Sequence, residues 1–193
     1  MNIKRFMCNP LQENTYVVSD DTKECVIIDC GTYYTDEKDA LTNYISENQL
    51  KPVHLIATHG HLDHNFGNQA ILEYYGLLTE IGEADKRMLA NAGRQAERFY
   101  GFSLPYDLPE AGNVLKDGDK IEVGDLTFHV IEVPGHSLGS ICFYEKEQEA
   151  LFSGDTLFKN SIGRTDLAGG SMMRIIQSLR RLAQLPDSTT VYP

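Results

Sequence analysis

The 193-residue sequence predicts a mixed α/β chain in which two β-sheets pack face to face with helices outside. Three observations carry this. Short runs rich in β-branched residues recur along the chain, and tight turn signals join several of them, which argues for antiparallel pairing. Runs with apolar residues at helical spacing interrupt them, which argues for sheets covered by helices. No repeat, low-complexity segment or linker divides the sequence, so residues 1–193 read as a single domain.

The elements follow in order. Thr15–Val18 and Cys25–Asp29 are strand-like and flank the turn signal Ser19–Thr22. Asp36–Gln49 reads as a helix, with Ala40, Leu41, Tyr44 and Ile45 on one face. Val53–Thr58 is an apolar strand, followed by a helix from Asn65 or Phe66 to Tyr75 that Gly76 closes. Glu83–Gly101 is charged and helical in pattern, and Phe102–Gly112, with Pro105 and Pro109, is a loop. Strands return at Lys120–Val123, Leu126–Val133, Ser140–Tyr144 and Ala150–Ser153. Ser171 caps a last helix that stops before Pro186, and Thr189–Tyr192 begins one more strand.

Composition narrows the function. The chain is 41% hydrophobic and carries 28 acidic against 17 basic residues, a net charge of −11. Such a surface repels phosphate backbones, which argues against a nucleic-acid partner. No run approaches the roughly 18 apolar residues of a membrane span, and Met1–Pro10 lacks a signal-peptide core. The expectation is a cytoplasmic protein without a membrane partner; the oligomeric state is not legible. Cys8, Cys25, Cys30 and Cys142 are scattered and form no C-x-x-C pair, so free thiols are expected, with a metal role for Cys30 a minor alternative.

The densest chemical signal is Thr58-His59-Gly60-His61-Leu62-Asp63-His64. Three imidazoles and a carboxylate within six residues would be costly to bury unpaired, and their atoms are the ligands that zinc, iron and manganese take. His59 and His61, two apart on an extended segment, point the same way, whereas Asp63 and His64 lie on the following turn. His136 in Val133–Ser137 and Asp155 in Ser153–Thr156 each follow a strand, where site loops sit. Singly each is an ordinary turn residue; with the cluster they complete a donor set.

THGHLDH (58–64), PGHSLGS (134–140), SGDTLF (153–158) and the loop Gly163-Arg164-Thr165-Asp166 together resemble the metallo-β-lactamase superfamily, and within it the glyoxalase II-like branch, in order and register over residues 14–192. The resemblance implies a four-layer αββα sandwich with metals at one edge of the sheets. Carried over by position, His59, His61 and His136 would hold one metal, Asp63 and His64 a second, and Asp155 would bridge them. Two divalent ions are implied, zinc first, with iron or manganese as alternatives. The family takes a further histidine from a Y-P-G-H-G loop, whereas this sequence ends at Val191-Tyr192-Pro193, so truncation before that loop is expected and the second site is weaker as it stands.

The implied reaction is hydrolysis of an acyl bond in a small molecule, first a thioester, with metal-activated hydroxide as nucleophile. Asp63 would orient that nucleophile and carry its proton. Arg164 and Lys159 are candidates for a substrate carboxylate, and the Phe99–Tyr106 segment for a lid. His54 and His129 read as structural. The longer glyoxalase II enzymes hold glutathione with an extra helical domain, so the short, single-domain members are the better match. Two alternatives stand beside hydrolysis. Persulfide dioxygenases resemble the same framework with one iron at the positions of His59, His136 and Asp155, and a non-catalytic metal-binding protein would also need the donor set.

Overall fold

The computed structural model describes residues 1–193. One sheet holds β1 (Asn2–Cys8), β2 (Glu13–Ser19), β3 (Glu24–Ile28), β4 (Lys51–Ala57), β5 (Thr79–Gly82) and β6 (Val114–Leu115), side by side in chain order. β1 to β3 form an antiparallel meander. From β3 onward the pairing is parallel. α1 (Thr35–Glu47) and α2 (Asn68–Tyr75) supply the crossovers that parallel neighbours require. Gly76 ends α2 in the left-handed region at φ 71°, as its place in the sequence predicts.

α3 (Lys86–Ala90) and α4 (Ala92–Gln95) lead into a π-helical turn at Ala96–Tyr100. The second sheet opens with β7 (Lys120–Val123), β8 (Leu126–Glu132), β9 (Ile141–Glu145) and β10 (Ala150–Phe152), all antiparallel. A small hairpin, β11 (Leu157–Phe158) and β12 (Ser161–Ile162), and α5 (Met172–Leu182) precede β13 (Thr190–Tyr192), which joins β10 in parallel.

Packing defines four layers. Val18, Val26, Ile28 and Ile56 of the first sheet meet Phe128, Val130, Phe143 and Phe152 of the second in a common core. On the other face of the first sheet, Leu41 and Ile45 of α1 and Ile71 of α2 cover Val17, Ile27 and Leu55. Leu182 of α5 covers Val133, Cys142 and Leu151 on the outside of the second. The result is the expected αββα sandwich. Residues 25–28 and 55–57 are buried on both sheet faces, so they read as unbroken apolar runs rather than alternating ones. All four cysteines are free and buried; Cys30 lies in the α1–α2 layer, where burial pushes its thiol up to about 12, and it belongs to no donor cluster.

The structure adds strands the sequence did not announce. β1 carries Lys4 and Arg5 and is largely exposed at a sheet edge. β5 contains Glu80 and Gly82, and β6 is two residues long. The helix expected over Glu83–Gly101 is broken into a 3₁₀ turn at Glu83–Asp85, α3, α4 and the π turn. Side chains of this segment reach the histidine-bearing loops after β4 and β8: Gln95 binds Leu62 N and Gly60 O, and Asp85 binds Gly60 N and Gly139 N.

Candidate metal centre

β4 ends at Ala57; the chain bends at Thr58 and His59, is extended at His61, and enters a 3₁₀ turn over Leu62–His64. The rings of His59 and His61 are 4.8 Å apart, and His136, from the loop after β8, stands 4.7 Å from each. The nitrogen donors of these three lie within 4.8 Å of one another, as do the donors of His59, His64 and Asp155. Asp155 follows β10 and addresses two imidazoles at once. Its Oδ1 is 3.4 Å from His64 Nε2 and its Oδ2 is 3.4 Å from His136 Nε2. Asp63 Oδ2 lies 3.8 Å from His64 Nε2, and its side chain lines the same cavity of about 340 Å³.

Outer contacts aim the rings. His136 Nδ1–H donates to the Arg164 carbonyl at 2.9 Å, and His59 Nδ1 meets Thr58 Oγ1 at 3.0 Å. His64 Nδ1 lies 3.0 Å from Asp29 Oδ2. Each ring therefore turns Nε2 toward the centre. His59 Nε2 is buried and has no hydrogen-bond partner, and His61 Nδ1 faces His136 Nε2 at 2.8 Å. Three buried imidazoles facing one another, with His59 Nε2 orphaned among them, suit a cation at their focus. The donor chemistry thus fits divalent metal.

Electrostatics divides the cluster. Burial, and then the neighbouring imidazoles, hold His59 well below the usual histidine range; burial and His136 bring His61 down to about 4. Both are neutral near pH 7, the state a metal ligand needs. Burial also opposes charge on His64, but Asp29, Asp63 and Asp155 outweigh it and raise that ring well above its ordinary value. Burial works against ionised Asp155 too, yet His64, with His136 and His61, pulls its carboxyl down to about 2.

Several participants escaped the sequence reading. Asp29 sits at φ 51°, left-handed for a non-glycine residue, and accepts from Thr58 N at 2.6 Å and Thr58 Oγ1 at 2.7 Å as well as facing His64. Asp85 is completely buried; its carboxylate accepts from Gly60 N at 3.0 Å, Gly139 N at 2.8 Å and Ser137 Oγ, tying the β4 loop to the β8 loop. Gln95 locks the same corner through Leu62 N, Gly60 O and Met88 O. Tyr100 lines the cavity beside Asp63. The sequence carries a faint signal only for Asp29, a carboxylate ending an apolar strand; Asp85 and Gln95 are hidden in a charged helical run.

The two substrate candidates separate. Arg164 lines the cavity, and its guanidinium is held bidentately by Asp166 at 2.8 Å through both Nε and Nη2. Lys159 is exposed on the β11–β12 turn and is not among the residues that line the cavity. His54, in β4, pairs with Glu80 away from the centre. Tyr33 and Phe102 pack with Phe66.

A buried histidine–carboxylate focus at one edge of an αββα sandwich defines a metallo-hydrolase scaffold. Residues 8–193 match the model of the metallo-beta-lactamase superfamily, and the chain belongs to that family. It is 32% identical over 193 residues to hydroxyacylglutathione hydrolase GloC of Haemophilus influenzae, covering 99% of this chain and 89% of that one. Two solved structures superpose closely. The B3 metallo-beta-lactamase BLEG-1 is 32% identical with a TM-score of 0.88, and TTHA1623 in a di-iron-bound form is 34% identical with a TM-score of 0.86. Each alignment covers 98% of this chain and 90% of the other. No helix is long and apolar enough to cross a membrane.

Proposed function

We propose that the protein hydrolyses acyl thioesters of small molecules with two divalent ions, zinc first among the candidates. His59, His61 and His136 would hold one ion, Asp63 and His64 would hold the second, and Asp155 would be available to both. The observation that carries this reading is the orphaned, buried Nε2 of His59 at the focus of His61, His136, His64 and Asp155. Similarity to GloC supports the thioester as substrate. Bound metal supplies a water of lowered pKa and a Lewis acid for the acyl oxygen.

The chain's own groups do the rest. Asp63 projects its carboxylate into the cavity, orients the attacking water and accepts its proton. Water adds to the acyl carbon and the carbon–sulfur bond breaks, leaving a carboxylic acid and a thiol. No separate general acid is needed, because a thiolate with a conjugate pKa of about 8.5 leaves unaided. Arg164 contributes a cationic wall to the cavity, although Asp166 already occupies its fork. Phe99 and Tyr100 shield the opening.

The test is metal analysis of the protein loaded separately with zinc, manganese and iron, followed by thiol release from S-lactoylglutathione and from a simple acyl thioester. Asp63→Asn should lower kcat by about 100-fold or more while the ion assigned to His59, His61 and His136 is retained. A fully loaded protein that releases no thiol from either compound refutes the reading. A second reading is a mononuclear-iron persulfide dioxygenase; TTHA1623 takes iron on this fold, but in a di-iron-bound form, so it supports iron and not a single-iron site. Oxygen consumption with a persulfide at one iron per chain would establish it instead. Metal binding with neither activity would leave a non-catalytic metal-binding protein.

A further inference from the structure

Beside the metal cavity lies a second chamber that the reaction does not use. This chamber has a volume of about 160 Å³ and shares His61, Gln95, Phe99 and Leu167 with the metal cavity, so the two are adjacent. Their linings differ in sign. The metal chamber carries Asp63 and Asp155, and its one arginine, Arg164, is paired with Asp166, whereas the second chamber has no carboxylate and presents Arg94 and Arg98. In a protein of net charge −11, a site-side chamber lined by two cations and no acid is a local reversal of the prevailing field.

Both guanidiniums are exposed, and neither lies within 4.0 Å of a carboxylate. Arg164 and Arg181, by contrast, are each held by an aspartate. Residues 94 and 98 are four apart where α4 runs into the π turn, which puts both side chains at one chamber. The Arg98 guanidinium lies 5.4 Å from the Phe99 ring centroid, a cation–π contact that steadies it at the opening. The floor is rigid, because Gln95 between them is fixed by its three hydrogen bonds. π-helical turns recur at functional sites, and this one carries Arg98 and Phe99, which both line the chamber.

We propose that Arg94 and Arg98 form an anion subsite, and that the acyl substrate carries a carboxylate or phosphate on the arm pointing away from the metals. The subsite rests on the acyl-hydrolase reading. It selects by the chemistry guanidinium groups recognise, a planar or tetrahedral oxyanion. The contact is remote from the reacting carbon, so it acts on ground state and transition state alike and is read in KM.

Two matched substrate pairs test it in the metal-loaded protein. One pair is the acetyl thioester of 3-mercaptopropionate and of its amide; the other is the succinyl thioester of a neutral thiol and its succinamyl counterpart. In at least one pair the anionic member should have a kcat/KM about tenfold higher, mainly through KM, with an advantage that shrinks as salt rises. Arg94→Gln with Arg98→Gln should bring that ratio close to one. Both positions are exposed, so the double variant should fold, and a thermal melt verifies it.

Equal rates within both pairs overturn the subsite, as does a preference that survives in the double variant. Calorimetry with the corresponding non-hydrolysable thioethers separates the two readings. Arginine-dependent binding of the anionic thioether without cleavage of any thioester keeps the subsite and removes the hydrolase. Cleavage with no charge preference, and equal thioether binding, keeps the hydrolase and removes the subsite.

Discussion

His64 is held between carboxylates from opposite sides: its Nδ1 lies 3.0 Å from Asp29 Oδ2, and its Nε2 lies 3.4 Å from Asp155 Oδ1. Asp29 thereby fixes which nitrogen faces the cavity. Its other oxygen takes Thr58 N, and its left-handed backbone turns the carboxylate back beneath the strand ends.

Asp29→Asn tests this arrangement. The amide keeps the shape but must turn an N–H₂ toward either Thr58 or His64, both of which already bring donors. Partners of this kind that orient a ligand are worth about 10–100-fold in metal affinity. The expected outcome is a loss of that size for one of two ions, read by chelator competition, with the other ion little affected. Equal weakening of both ions would show that Asp29 supports the fold of the loop rather than His64.

Asp85 joins the two halves of the centre. Removing its carboxylate in Asp85→Ala strands the buried N–H groups of Gly60 and Gly139, at about 1–3 kcal/mol for each. Denaturant unfolding should show a loss of several kcal/mol. Metal affinity should also fall, because the loops bearing His59 and His136 lose their common anchor. Asp85→Asn retains an acceptor and should fall between the wild type and alanine in both measurements.

Metal removal offers a third measurement. A ligand present at 100 times its Kd stabilises the folded state by about 2.7 kcal/mol, which in a chain of this size is about 5–10 °C in Tm. Chelation should therefore lower Tm by that order, and His59→Ala should shrink the difference by removing a donor of the first ion. A Tm indifferent to chelator would contradict the metal assignment.

The legible parts of this structure are those with dense local signals. β2, β3 and β4 announce themselves through β-branched runs, and Ser171 caps α5 as read, its Oγ accepting from Arg174 N at 3.4 Å. The histidine cluster is legible because it is concentrated in seven residues. Asp29 and Asp85 act across 29 and 25 residues of chain, on Thr58 and Gly60, and nothing in local composition reports such a separation. The parallel pairing of β5 and β6 was equally silent, because two- to four-residue strands buried by their neighbours need no periodicity of their own.

The His54–Glu80 pair lies far from the metal centre and gives the fold a separate pH dependence. The hydrogen bond that His54 Nδ1–H donates to the Glu80 carboxylate raises the His54 pKa above its ordinary 6.5, with burial working against it, and Asn113 Nδ2 donates to the second Glu80 oxygen at 3.1 Å. A raised folded-state value means the pair stabilises fully below the unfolded value. That contribution disappears as pH rises through the folded value. The Tm difference between wild type and His54→Gln should therefore be largest near about pH 6 and shrink toward about pH 9. The variant lies outside the metal cavity, so the difference should persist when chelator is present. A gap that widens with pH would mean that His54 stabilises as a neutral packing residue, and that the ion pair contributes nothing.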